Sequence, residues 1–183
     1  MLEQVGPYRL RDYLRLPEWE RWELLEGELV MNPPPTLMHQ KVGMRLAYCL
    51  VEQVEDAGHG WVFSAPTGVF LSDVSAPEPD VVMVRKEKRA LMTKRAIEGA
   101  PDVVVEVLSP STKKRDLQLK RRLYAKYGIG EYWVVHPDEA WVEVLVLQRG
   151  RYVRKARLTP PDVLRTDTFP TVAVPLEQVF RPL

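Results

Sequence analysis

Cysteine is nearly absent: Cys49 is the only one in 183 residues. That excludes an internal disulfide and any zinc site built on cysteine. In MRLAYCLVEQ the residue sits among apolar helix formers and reads as a small core side chain, not a reactive thiol. An excess of charge is missing as well, since 26 Lys and Arg stand against 25 Asp and Glu. Attraction to a polyanion must therefore come from a local patch, not from net charge. No apolar stretch approaches the roughly 20 residues that cross a bilayer, and MLEQVGPYRLRDYLRLPEWE is charged from its start, unlike a leader. A soluble cytoplasmic protein without a membrane partner is expected. Repeats, low-complexity linkers and long blocks of like charge are lacking, and there is no P-loop for a nucleotide-driven motor. What remains, 45% hydrophobic and 28% charged, is ordinary globular usage, long enough for a single domain over residues 1–183 with its own core.

PEWERWELLEG predicts a short helix from Pro17 to Gly27, and ELVMN a strand halted by Pro33, Pro34 and Pro35. TLMHQKVGMRLAYCLVEQVEDAG places Leu37, Val42, Leu46, Leu50 and Val54 at helical spacing and closes at Gly58. Strands are expected in GWVFSAPTGVFLS, in PDVVMVR after Pro79 and in DVVVEVLS after Pro101. A helix follows from about Asp116 to Tyr127, ending at Gly128. The strand EYWVVHP and a hairpin, WVEVLVLQ with RYVRKARL around Arg149-Gly150, supply further strands. This order implies an α/β or α+β fold with one principal mixed sheet flanked by helices.

One residue contradicts its surroundings. Glu106 lies in the run Val103, Val104, Val105, Val107, Leu108, which otherwise reads as a strand buried on both faces. An unpaired buried carboxylate costs several kcal/mol or takes up a proton, so a partner is required. Asp102 is on the same strand, about 13 Å away, too far to share an ion. Asp80, in the other PDVV stretch, lies on a strand that can pair alongside. Two hard carboxylates on neighbouring strands suit Mg²⁺ or Mn²⁺; the competing reading makes Asp80 a turn cap before its strand. On the following helix, at about 100° per residue, Lys120 falls on the apolar half with Leu123, Tyr124 and Tyr127. Its ammonium either snorkels to solvent or reaches Glu106's end of the sheet. Lys113, Lys114 and Arg115, with Arg121, Arg122 and Lys126, form either a solvated surface or a phosphate track.

The stretches WELLEGELVM, MHQKVG, PEPDVVMV, PDVVVEVLSPSTKKRDLQLKRRLYAKYGIGEYWVVHP and LEQVF resemble the Uma-type restriction-endonuclease family, within the PD-(D/E)xK nuclease superfamily. The likeness runs from about residue 17 to 180. It implies a restriction-endonuclease-like core, a DNA substrate and hydrolysis assisted by Mg²⁺ or Mn²⁺. Asp80 corresponds to the metal-binding aspartate and Glu106 to the second acid. Leu108 occupies the position where the motif has lysine, and the resemblance implies that Lys120 replaces it from the helix. Glu23 resembles the family's N-terminal helix glutamate, with an exposed helix acid as the alternative. His39 matches a histidine common in the family but reads as a structural group, and His136, where aspartate is frequent, reads as a turn residue. A homo-oligomer, a dimer, is expected. The rival readings are a nuclease-fold protein that binds nucleic acid or a protein partner without catalysis, and a structural oligomer with apolar contacts from EYWVV and the final hairpin.

Overall fold

The computed structural model describes residues 7–17, 19–110 and 113–182. The first six residues, whose charge argued against a leader, lie outside the described residues, as do Ser111 and Thr112 of the expected basic loop and Glu18 of the expected first helix.

After a single helical turn, α1 (Leu10–Tyr13), residues Trp22–Leu25 form β1 and Glu28–Met31 form β2, an antiparallel hairpin where a helix was expected from Pro17 to Gly27. Glu26 and Gly27 both have positive φ, 51° and 87°, so they make a two-residue turn whose twist matches paired strands. Gly27 is a hairpin residue, not a helix cap. Glu23 consequently sits on a strand, fully buried, and is neither a helix residue nor an exposed acid.

Beyond the prolines the main helices and strands fall where expected, although GWVFSAPTGVFLS splits into two strands of different sheets, and the short elements Ile97–Glu98, Val163–Arg165, Ala173–Pro175 and Leu176–Val179 were not foreseen. The Thr36 hydroxyl accepts from His39 N at 3.2 Å and caps α2 (Leu37–Leu50), which continues as a π-helical segment, Val51–Glu55. The strands β3 (Gly60–Ser64), β4 (Val69–Phe70), β5 (Val81–Arg85), β6 (Ile97–Glu98) and β7 (Val103–Val107) follow. One helical run then comprises α3 (Lys113–Arg115), a π segment (Asp116–Lys120) and α4 (Arg121–Lys126). It starts at Lys113, ahead of the expected Asp116. The strands β8 (Glu131–His136), β9 (Trp141–Gln148) and β10 (Arg151–Leu158) come next, with Arg149 and Gly150 at positive φ in the hairpin turn as predicted. The chain closes with β11 (Val163–Arg165), β12 (Ala173–Pro175) and α5 (Leu176–Val179).

The principal sheet has six strands in the order β10-β9-β8-β7-β5-β3 and is mixed: β7 and β8 are parallel, joined by the helical run, and the other neighbours are antiparallel. Alternation along β7 sorts the core. Val103, Val105 and Val107 face Val42, Leu46 and Leu50 of α2 together with the C-terminal Phe169, Val172 and Val174. Val104 points the other way, toward Tyr124, Ile129 and Tyr132. Cys49 belongs to the first cluster, and burial pushes its thiol up, as befits a core residue. Every residue of β8 is buried, so EYWVV is interior sheet and supplies no oligomer contact.

Candidate active site

Pairing register brings the two acids together. Val81 lies opposite Val105, so one residue further Asp80 falls beside Glu106 on the same face of the sheet. Asp80 Oδ2 accepts the Val107 backbone N–H at 2.7 Å. Both acids line one small cavity of about 40 Å³, room for an ion or a water or two, with His39, Glu78, Arg115, Asp116 and Lys120 around them. Asp102 belongs elsewhere: its carboxylate accepts from Arg85 N at 2.8 Å and Arg85 Nε at 2.9 Å, with Lys88 Nζ at 3.2 Å.

The partner demanded by Glu106 is Lys120. Its Nζ donates to Glu106 Oε1 at 2.8 Å and lies 2.8 Å from Glu23 Oε1, with Asp116 Oδ1 at 3.8 Å one helical turn back. Lys120 is 2% exposed and therefore does not snorkel. The Tyr124 hydroxyl, one turn further along the helix, donates to the same Glu106 oxygen at 2.5 Å. Burial drives Glu106 well above the usual carboxylate range, with the Lys120 ammonium opposing the shift. Burial alone would lower Lys120, but the carboxylates of Glu106, Glu23 and Asp116 outweigh it and hold the ammonium charged. Tyr124 is raised by burial and then by the charge on Glu106, so it stays a donor.

Glu23 does not line the cavity. It contacts Lys120, receives the Glu78 backbone N–H at 2.8 Å and lies 3.6 Å from Arg115. Burial raises Glu78 as well, and Tyr13 donates to it at 3.0 Å. Five acids, Glu23, Glu78, Asp80, Glu106 and Asp116, thus meet three cations, Arg21, Arg115 and Lys120. The lining offers hard oxygen donors of the kind Mg²⁺ or Mn²⁺ takes, while among the described residues no three acid, histidine or cysteine side chains are grouped as a ready-made metal site.

The basic residues separate. Lys113, Lys114 and Arg122 are exposed. Arg115 turns inward and donates to Asn32 Oδ1 at 2.5 Å, while Arg121 donates to the Tyr152 carbonyl at 3.1 Å. Sequence reasoning set His39 aside, yet its Nε2 lies 3.2 Å from Asp80 Oδ2 on the cavity wall. The available signal was its place in the first turn of an N-capped helix packed on the strand of Glu106. Tyr124 and Asp116 were also missed, although each stands four residues from Lys120 on one helical face. His136 closes β8, and its Nδ1 accepts Glu139 N at 3.2 Å, a turn-fixing role.

A mixed sheet between helices, with one acid in the bend just before β5, a second on β7 and a buried lysine at the same end, is an arrangement of nuclease type. The match to the Uma2 family, described as "putative restriction endonuclease", spans residues 10–177, and the protein belongs to that family. Its fold is shared with a "putative nuclease belonging to DUF820" from Anabaena variabilis ATCC 29413, at 21% identity and a TM-score of 0.79, covering 95% of this chain and 98% of that one. No curated protein matches. Among the described residues no helix is long and apolar enough to cross a membrane.

Proposed function

We propose that the protein is a metal-dependent endonuclease that hydrolyses DNA phosphodiester bonds at the cavity between Asp80 and Glu106. The observation that carries this reading is the convergence of the Asp80 and Glu106 carboxylates and a buried lysine on one cavity, in a chain of the Uma2 family. Asp80 and Glu106 are the residues that would hold Mg²⁺ or Mn²⁺. Such an ion, when bound, neutralises charge on the phosphate and makes a water more acidic.

The chain's own residues do the rest. The Val107 N–H and His39 fix the Asp80 carboxylate, and Tyr124 fixes that of Glu106. Lys120, held by Glu23 and Glu106, keeps its proton and stabilises negative charge developing on the scissile phosphate. Glu23 acts through Lys120 and not on the substrate. His39 is placed to take or return a proton at the cavity wall. Lys113, Lys114 and Arg122 guide the backbone of the DNA. In this reading the protein works in the cytoplasm as a homodimer, which sedimentation velocity checks.

The rival reading, a nuclease-fold protein that binds without cutting, draws support from Leu108 at the motif position and from the engagement of Lys120 with carboxylates. Incubation with plasmid, branched and single-stranded DNA in Mg²⁺ or Mn²⁺ decides between them. Cleavage that EDTA stops is expected; inertness on every substrate favours the binding protein.

A further inference from the structure

We propose that the groove beside α2 receives an unpaired nucleotide next to the scissile phosphate, making the enzyme selective for DNA with a single-stranded or flipped-out base. The inference rests on the nuclease reading of the Asp80 and Glu106 cavity and adds the substrate class. That cavity, about 40 Å³, admits a phosphate oxygen and water but no nucleoside. A groove of about 640 Å³ adjoins it, and Arg21, His39 and Asp80 belong to both walls. The nucleotide flanking a phosphate bound at Asp80 therefore has the groove as its adjacent space.

The groove's chemistry selects the part of the nucleotide that enters. Leu37, Met44, Ala47 and Pro66 make it apolar, and among the described residues Arg21 and Lys41 are the arginine and lysine on its wall. A duplex tracked by its phosphates needs a row of cations, whereas a base extruded from its stack needs apolar faces above and below and polar groups at its edge. Gln40 and Ser64 offer such polar groups. The volume falls within the range of small-molecule sites, about 300–1,000 Å³. Leu37 and Met44 stand 78% and 57% exposed along this wall, large apolar side chains open to solvent. The thioether of Met44 adapts to purine or pyrimidine alike.

The test compares a matched duplex with the same sequence carrying an unpaired bubble, cut by the full chain in Mn²⁺. The bubble is expected to be cut about tenfold faster, because a matched duplex must first unpair and unstack the base that enters the groove. Met44→Glu and Leu37→Glu should bring that ratio toward unity, while Tyr48→Glu, exposed on the same helix outside the groove, should keep it. Equal rates on both substrates, or a ratio that survives Met44→Glu, would overturn the proposal. If Met44→Glu instead only converts a dimer to a monomer, the groove belongs to a second copy and the proposal fails. If no DNA is cut, the nuclease reading has failed, and the groove is judged by binding alone. A single strand carrying 2-aminopurine, titrated in EDTA, should change its fluorescence with the parent and not with Met44→Glu; no change with the parent would overturn the proposal.

Discussion

Glu106 and Glu131 lie on the adjacent parallel strands β7 and β8 and are 3% and 4% exposed, so burial does not distinguish them. Their partners do. Glu131 is closed by neutral donors: the Thr166 hydroxyl at 2.5 Å and the Thr168 backbone N–H and hydroxyl on one oxygen, with the Trp133 indole N–H at 2.9 Å on the other. It ties the segment after β11 to the sheet. Glu106 has a lysine and a tyrosine on one oxygen, a second acid across the register, and a cavity beside it. Glu131 is satisfied by neutral donors on both oxygens, whereas Glu106 shares its cavity with further acids and takes its charge partner from Lys120.

Separating activity from stability sharpens that contrast. Glu106→Gln preserves shape, and its amide oxygen still accepts from Lys120 and Tyr124. Calorimetry should show Mn²⁺ binding lost and cleavage abolished while the melting curve moves little; unchanged Mn²⁺ affinity would break the comparison. Lys120→Met keeps the stem and removes the ammonium, so cleavage should fall by about 10²-fold or more, as for other transition-state donors. Because Lys120 pairs two buried acids, this change should also cost about 3 kcal/mol in urea denaturation. Equal activity of Lys120→Met and the parent would confine the lysine to structure.

Glu131→Gln should do the reverse. Whichever way its amide turns, an N–H₂ group faces a donor, for a loss of about 2 kcal/mol, with the cleavage rate per folded molecule unchanged. A loss of activity without a loss of stability would erase the distinction between the two acids. The smallest effect belongs to Arg122→Ala, which should weaken DNA binding modestly and lower the salt slope by about 1 in a filter-binding series.

The sheet was largely legible because its strands carry dense Val and Ile-like runs bounded by Pro-Asp or Gly, and Glu106 announced itself by interrupting one of them. The helical angle placed Lys120 on the apolar half but did not decide between a snorkelling ammonium and one that reaches Glu106. The Trp22–Met31 hairpin was not, because Pro17 and Gly27 imitate helix punctuation while the Glu26-Gly27 turn signal is weaker than Asn-Gly. That error hid the burial of Glu23. Glu131 escaped notice because its donors, Thr166 and Thr168, are some 35 residues away in sequence. His39 was discounted because helical periodicity says which face a residue occupies, not which strand end that face meets.

Mn²⁺ soaked into crystals of the parent and of Glu106→Gln tests whether Asp80 and Glu106 form a divalent-cation site. The account predicts an anomalous peak at the cavity between the two carboxylates in the parent and none in the variant. A peak remote from both acids, or no peak in the parent at millimolar Mn²⁺, would contradict it.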